Sequence, residues 1–149
     1  MPTFDFEFDV QAPLQAVRDF HHDTSALKTL TPPPTIVQIQ LVEPLGEGSV
    51  SEFTLWMGPL PIRWRAVHKN VGDNGFTDIQ ESGPMKRWEH THTFTAIDAN
   101  TTRIHEHIEY EHFAGPRGVF SRGLFNQASL WFTFSYRKRV TKKMLDGRS

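Results

Sequence analysis

KRWEHTHTFTAIDANTTRIHEHIEYEH, residues Lys86 to His112, holds two runs that alternate with a period of two. In the first, Trp88, His90, His92 and Phe94 share one face, and Arg87, Glu89, Thr91, Thr93 and Thr95 share the other. In the second, Ile104, Glu106, Ile108 and Tyr110 oppose Arg103, His105, His107, Glu109 and Glu111. Successive side chains of a strand point to opposite faces, so each run reads as a strand with a wet side and a dry side. The dry side carries two histidines and a glutamate, which are costly to bury unless they find partners, water or a ligand. We read that face as the wall of a cavity.

The connection between the two runs sets which residues meet. A two-residue loop at Ala99-Asn100 would put Phe94 opposite His105 and Trp88 opposite Glu111, mismatching every face, whereas a three-residue loop restores the match. That choice predicts His90 and His92 on the side of Glu106, Ile108 and Tyr110, with His105 and His107 turned to solvent.

Working outward, Phe4, Phe6, Phe8 and Val10 alternate with Asp5, Glu7 and Asp9, the pattern of a half-buried strand. Pro13 suits the first position of a helix with an apolar stripe of Leu14, Val17 and Phe20, and Asp23 or Thr24 can cap a second short helix through Leu30. Pro32, Pro33 and Pro34 then stop it. Strands are predicted over 36–42, 50–57, 62–71 and 76–82, separated by turn chemistry at 46–48, 58–61, 73–75 and 98–101. Short connections between consecutive strands imply an antiparallel meander. A four-residue loop at Gly58 to Pro61 would face Met57 with Ile62, Leu55 with Trp64 and Phe53 with Ala66, and would stack Arg63 on Trp56. The run from Phe76 to Gln80 is mixed on both faces, so Asp78 and Gln80 stay unassigned.

From Pro116 the period lengthens, and Phe120, Leu124, Trp131 and Phe134 fall on one arc of a long C-terminal helix. Phe125, Phe132 and Tyr136 form a second arc, so this helix is apolar over most of its circumference and buried on more than one side. The second arc fits either a homodimer interface or a cover for the small helices. Arg137, Lys138, Arg139, Lys142 and Lys143 read as a solvated helix end, with contact to an anion or acidic lipid as the alternative.

The 149 residues suffice for one domain over 1–149, since a chain of this length buries ~70% of the surface it exposes when unfolded. Sixteen basic against 17 acidic residues leave a formal net charge of -1, so no global basic field points to nucleic acid. The lack of cysteine removes disulfides, thiolate metal sites and thiol nucleophiles, and fits a reducing cytosol. The opening residues have no basic head followed by an apolar run, and no stretch reaches the ~18 apolar residues of a membrane span. These readings lead us to expect a cytoplasmic protein without integral membrane contact.

Strand, two small helices, a six-strand antiparallel meander and a long terminal helix is the order of the helix-grip fold, an α+β architecture. The chain resembles the START/SRPBCC superfamily of polyketide cyclases, lipid-transfer domains and pollen-allergen-like proteins. The resemblance spans nearly the whole chain. It rests on Phe20-His21-His22-Asp23 leading to Leu30-Thr31-Pro32-Pro33, on Gly58-Pro59-Leu60-Pro61-Ile62-Arg63-Trp64-Arg65-Ala66, and on Gly83-Pro84 with Trp88 to Phe94. It implies a curved sheet of about seven strands wrapped around the last helix, with a cavity between them. The superfamily holds binding proteins and enzymes alike, so fold alone does not assign function.

The expected ligand is a small, largely hydrophobic molecule of lipid, polyketide or isoprenoid type. Phe53, Leu55, Trp64, Trp88, Phe94, Ile108, Leu124 and Trp131 would wall its body, and His90, His92, Glu106 and Tyr110 would orient a polar group. His90, His92 and Glu106 are also the candidates for acid/base work in a cyclase, aromatase or dehydratase, because histidine titrates near neutral pH. A facial two-histidine, one-carboxylate metal site is the rival reading; with no third histidine on that face, we expect no metal and no cofactor. No nucleophile motif, phosphate loop or dinucleotide fingerprint occurs. A third alternative is an interaction module whose cavity is filled by its own side chains.

Overall fold

The structure, a computed structural model, describes residues 2–23 and 25–147. Seven antiparallel strands form one sheet in the order β1-β7-β6-β5-β4-β3-β2. They are β1 (Thr3–Val10), β2 (Ile36–Val42), β3 (Val50–Met57), β4 (Leu60–Gly72), β5 (Gly75–Ser82), β6 (Arg87–Asp98) and β7 (Thr101–Glu111). Only β1 pairs out of chain order, against β7; β2 to β7 are the meander that the short turns require. The excursion between β1 and β2 holds α1 (Leu14–His22) and α2 (Ala26–Leu30), and the chain closes with α3 (Val119–Leu124) and α4 (Gln127–Leu145). This is the α+β helix-grip architecture.

Two hairpins reach the expected faces by different devices. Between β6 and β7 the loop has two residues, with Asp98 opposite Thr101, and a bulge between Ala96 and Asp98 supplies the extra residue. A bulge changes register as a longer loop would, so Phe94 meets Ile104, His92 meets Glu106 and Trp88 meets Tyr110. Between β3 and β4 the loop is also two residues, not four. Met57 faces Leu60, Leu55 faces Ile62 and Phe53 faces Trp64. A shift of two keeps every side chain on its face but changes its partner. Trp56 therefore sits opposite Pro61 and donates its Nε1–H to Gln38 Oε1 at 2.9 Å, while Arg63 lies opposite Thr54.

Local corrections fall at helix ends. Pro13 is the N-cap of α1, not its first turn; its extended backbone (ψ 154°) directs its carbonyl to the amides of Ala16 and Val17. Ser25 holds the N-cap of α2, and Asp23 precedes it, accepting from the Ser25 amide and hydroxyl. Thr24 lies outside the described residues. The terminal helix is broken: Asn126 and Ser129 form a reciprocal capping box, each side chain accepting from the other's backbone N–H at 2.9 Å. Phase is reset at that cap, so an arc drawn from Phe120 to Phe134 crosses two helices. Within α4 the buried residues are Leu130, Phe134, Thr141 and Leu145, and Trp131 and Phe132 point outward.

The concave face is divided between core and cavity. Where β6, β7 and β1 pass beneath α1 and α4, side chains pack solidly: Phe94 and Ile104 against Phe8, Val10, Val17 and Leu145, and Ile108 and Tyr110 against Phe4, Leu130 and Phe134. Over β3, β4 and β5 the cover lifts, and a cavity of about 270 Å³ stays open between sheet, α2 and the start of α4. Side chains do not fill it. No helix among the described residues is long and apolar enough to cross a membrane.

Candidate functional site

At the boundary between core and cavity, three strands bring four ionisable side chains together. Asp78 of β5 lies opposite His90 of β6, and His92 lies opposite Glu106 of β7. Gly75 secures the first pairing. With φ at +137° and facing Thr93, it leaves space that a Cβ would lose, since that atom would stand 1.8 Å from the His92 carbonyl oxygen. Glycine is what lets β5 approach β6 this closely.

The result is a closed box. The His90 and His92 rings lie face to face, centroids 3.8 Å apart at 32°. His90 Nε2–H donates to Glu106 Oε2 at 2.6 Å, and His92 Nε2–H donates to Asp78 Oδ2 at 2.9 Å. The diagonals are close too, as ion-pair contacts: His92 Nδ1 stands 2.9 Å from Glu106 Oε2, and His90 Nδ1 stands 3.6 Å from Asp78 Oδ2. Phe76 stacks on the far face of His92, centroids 4.2 Å apart, and Phe134 meets His90 edge-on. His90, His92 and Glu106 are all buried.

Charges inside such a box are set by competition between burial and neighbours. Burial pushes both imidazoles towards the neutral form. At His92 the Glu106 and Asp78 carboxylates overcome it and raise the pKa to about 9. At His90 burial and the charged His92 prevail, and its pKa is lowered. Burial would raise the two carboxylates, but the imidazoles hold Asp78 below its usual value and Glu106 well below. At neutral pH the box holds two carboxylates, one imidazolium and one neutral imidazole. Above it, burial keeps His21 neutral, with a pKa of about 4, its Nδ1–H donating to the Val17 carbonyl at 2.8 Å.

The residues named from the sequence separate into groups. Phe53, Leu55, Trp64, Trp88, His90, His92 and Leu124 line the cavity. Phe94, Ile108 and Tyr110 share the concave face but lie under the helices as core, and the Tyr110 hydroxyl accepts from Gln127. Glu106 sits behind the imidazoles, off the cavity surface. Trp131 is 61% exposed and walls nothing, because the cap at Asn126 turns its side of α4 outward.

Several cavity residues were not read from the sequence. Asp78 was hidden by a strand mixed on both faces, and the signal that could have placed it was Gly75, whose close approach fixes the β5–β6 register. In the sequence His21 stands out only within the Phe20-His21-His22-Asp23 segment that carries the family resemblance. Arg137 was read with the solvated basic cluster, yet it lines the cavity, its guanidinium 5.1 Å from the Phe134 ring centroid. The others divide: Lys142 reaches the Asp9 carbonyl and Asp146, while Lys138, Arg139 and Lys143 are exposed.

Asp78, His90 and His92 offer one ligand atom each, all within 4.8 Å of one another, the donor set of a divalent metal. Asp78 Oδ2 and His92 Nε2 are already bonded to each other, and His90 Nδ1 stands 3.6 Å from the same oxygen. A metal would have to displace the proton on His92 and separate rings now in stacking contact, so the arrangement fits a shared-proton network better than a coordination sphere.

No protein-family model and no curated protein sequence matches the chain. Solved structures do. One, from Thermus thermophilus, aligns over 95% of this chain and 99% of its own at 20% identity, with a TM-score of 0.69. A START superfamily protein from Mycobacterium smegmatis aligns over 96% of both chains at 10% identity and TM-score 0.70. The Zhui aromatase/cyclase from Streptomyces sp. R1128 aligns over 95% of this chain and 89% of its own at 14% identity and TM-score 0.66. At such identities the likeness is one of fold: the chain has the START-type helix-grip fold.

Proposed function

We propose that the chain, acting as one domain, binds a small, largely hydrophobic molecule of lipid, polyketide or isoprenoid type in the cavity between sheet, α2 and α4. The observation that carries this is the contrast between walls and floor. Phe53, Leu55, Trp64, Trp88, Leu30 and Phe125 offer an apolar enclosure, and one polar cluster lies at its inner end. A ligand site has that build: apolar surface for affinity, a few convergent polar groups for orientation. A START superfamily protein among the neighbours of like fold supports the reading by analogy. The lack of cysteine is compatible with a cytoplasmic setting.

Binding of the fluorophore N-phenyl-1-naphthylamine tests it. The probe should brighten on binding, and Leu30→Arg, which puts a charge into the wall, should abolish the signal. An undiminished signal from a folded Leu30→Arg protein would place the probe elsewhere.

A second reading is favoured by the box. Two adjacent imidazoles of opposite protonation state, flanked by carboxylates, form an acid/base pair, as cyclisation or dehydration of a polyketide-like carbonyl compound requires. The fold of the Zhui aromatase/cyclase accords with it. In this reading His92→Gln leaves ligand affinity within a few-fold and lowers turnover by ~10²- to 10⁴-fold. Equal turnover by wild type and variant would exclude it.

A further inference from the structure

Among the described residues, three buried side-chain nitrogens have no hydrogen-bond partner: His22 Nε2, His92 Nδ1 and Arg137 Nε. All three belong to residues lining the cavity, but His92 Nδ1 stands 2.9 Å from Glu106 Oε2 in an ion pair, which leaves His22 Nε2 and Arg137 Nε without a partner. Buried polar atoms are ordinarily satisfied, so orphans gathered around one cavity mark where a ligand's polar atoms belong.

Arg137 is the most consequential. Its guanidinium makes no hydrogen bond and no ion pair within 4.0 Å among the described residues; it rests over Phe134, whose ring also meets His90 edge-on. Asp78 and Glu106 act on it through their fields, but their Oδ2 and Oε2 atoms are engaged by the imidazoles. Arginine stays charged in proteins, and a cation held partly out of water with no counter-ion is costly. Its planar fork matches a carboxylate in two-pronged fashion.

Resting on the binding reading above, we propose that Arg137 receives the anionic head, of carboxylate type, of an amphiphilic ligand. The tail then lies along the apolar wall of Leu27, Leu30, Phe53 and Leu55, and His22 supplies a further polar contact at the head. Asp78 and Glu106 keep their pairs with His90 and His92 when the head binds, so the ligand's carboxylate meets the guanidinium that the box leaves unpaired.

The test uses the purified full chain, N-phenyl-1-naphthylamine as reporter, and two competitors of equal length, decanoate and decanol. Wild type should prefer decanoate. Arg137→Gln should weaken decanoate by about tenfold or more, as loss of a charge-assisted contact requires, and change decanol less than about twofold. Arg137→Lys should recover part of the loss. Relieved of an unpaired cation, ligand-free Arg137→Gln should melt no lower than wild type. If the reporter binds and both competitors respond equally to Arg137→Gln, the head-group assignment falls and the cavity reading stands. If Arg137→Gln unfolds, Arg137 is a structural cation and the assignment falls as well. If the reporter binds neither wild type nor variant, the cavity reading falls and takes this inference with it.

Discussion

His90 and His92 lie ring on ring, centroids 3.8 Å apart, so that a proton on one opposes a proton on the other. The carboxylates resolve the contest in favour of His92, raised to about 9, while His90 is lowered. Between the ordinary histidine value of 6.5 and about 9 the folded protein holds a proton that the unfolded chain has released. That contribution is complete below pH 6.5 and is lost as pH rises through 9. His21, at about 4, has the opposite sign: below 6.5 the unfolded chain takes up a proton that the folded one refuses. Stability should therefore peak near pH 6.5. The alkaline fall is on the order of 3 kcal/mol. Urea unfolding at pH 6.5 and 9 checks it, and His92→Asn should flatten the alkaline limb.

The carboxylate behind the rings gives a second prediction. Glu106→Gln keeps the shape but removes the charge that overcomes burial at His92. The His92 pKa should drop towards or below 6.5, and stability should fall by ~3 to 5 kcal/mol, as when one partner of a buried ion pair is removed. Imidazole NMR titration reads the first effect and urea unfolding the second. An unchanged His92 titration would mean that Asp78 alone holds the proton.

Gly75→Ala should be disproportionately harmful for so small a change. Its Cβ would collide with the His92 carbonyl oxygen, and its φ of +137° is strained for any side chain, a cost of about 1 to 3 kcal/mol before the clash is counted. Relief requires β5 to move from β6, carrying Asp78 away from both imidazoles. Melting temperature and the His92 titration should change together in this variant. A lowered melting temperature with an unmoved titration would separate the turn from the site.

Trp131→Ala should leave both melting temperature and reporter affinity near wild type, within about 0.5 kcal/mol, because the indole is exposed. Phe134→Ala, one turn along the inner face, should cost ~3 to 5 kcal/mol as a buried aromatic. Chemical denaturation of the two variants side by side is sufficient.

The contrast between Trp131 and Phe134 shows how far the sequence could be read. Period-two alternation is a local signal, and it placed β1, β6 and β7 and the faces of His90, His92 and Glu106. The order of elements carried the helix-grip architecture. What escaped depended on one or two residues that reset a phase. The bulge at Ile97 and the cap at Asn126 each restart a count, and the second turned Trp131 from cavity to solvent. Asp78 and Arg137 escaped for another reason: neither lies on a clean apolar face, and only the tertiary arrangement of β5 and α4 brings them to the same cavity. Phe94, Ile108 and Tyr110 were placed on the correct side of the sheet, but local pattern cannot say where a helix covers that side and where it lifts away.

Four tryptophans sample the molecule in the way the central claim requires. Trp64 and Trp88 line the cavity, packed edge to face 5.3 Å apart, while Trp56 bonds Gln38 on the outer face and Trp131 lies on the exposed side of α4. Indole-labelled protein titrated with N-phenyl-1-naphthylamine and followed by proton–nitrogen NMR therefore reports occupancy of the cavity directly. Binding between sheet and α4 predicts that the Trp64 and Trp88 resonances shift together along one saturating curve while those of Trp56 and Trp131 stay in place. Shifts at Trp131 or Trp56 with Trp64 and Trp88 unmoved would contradict a ligand site in the cavity.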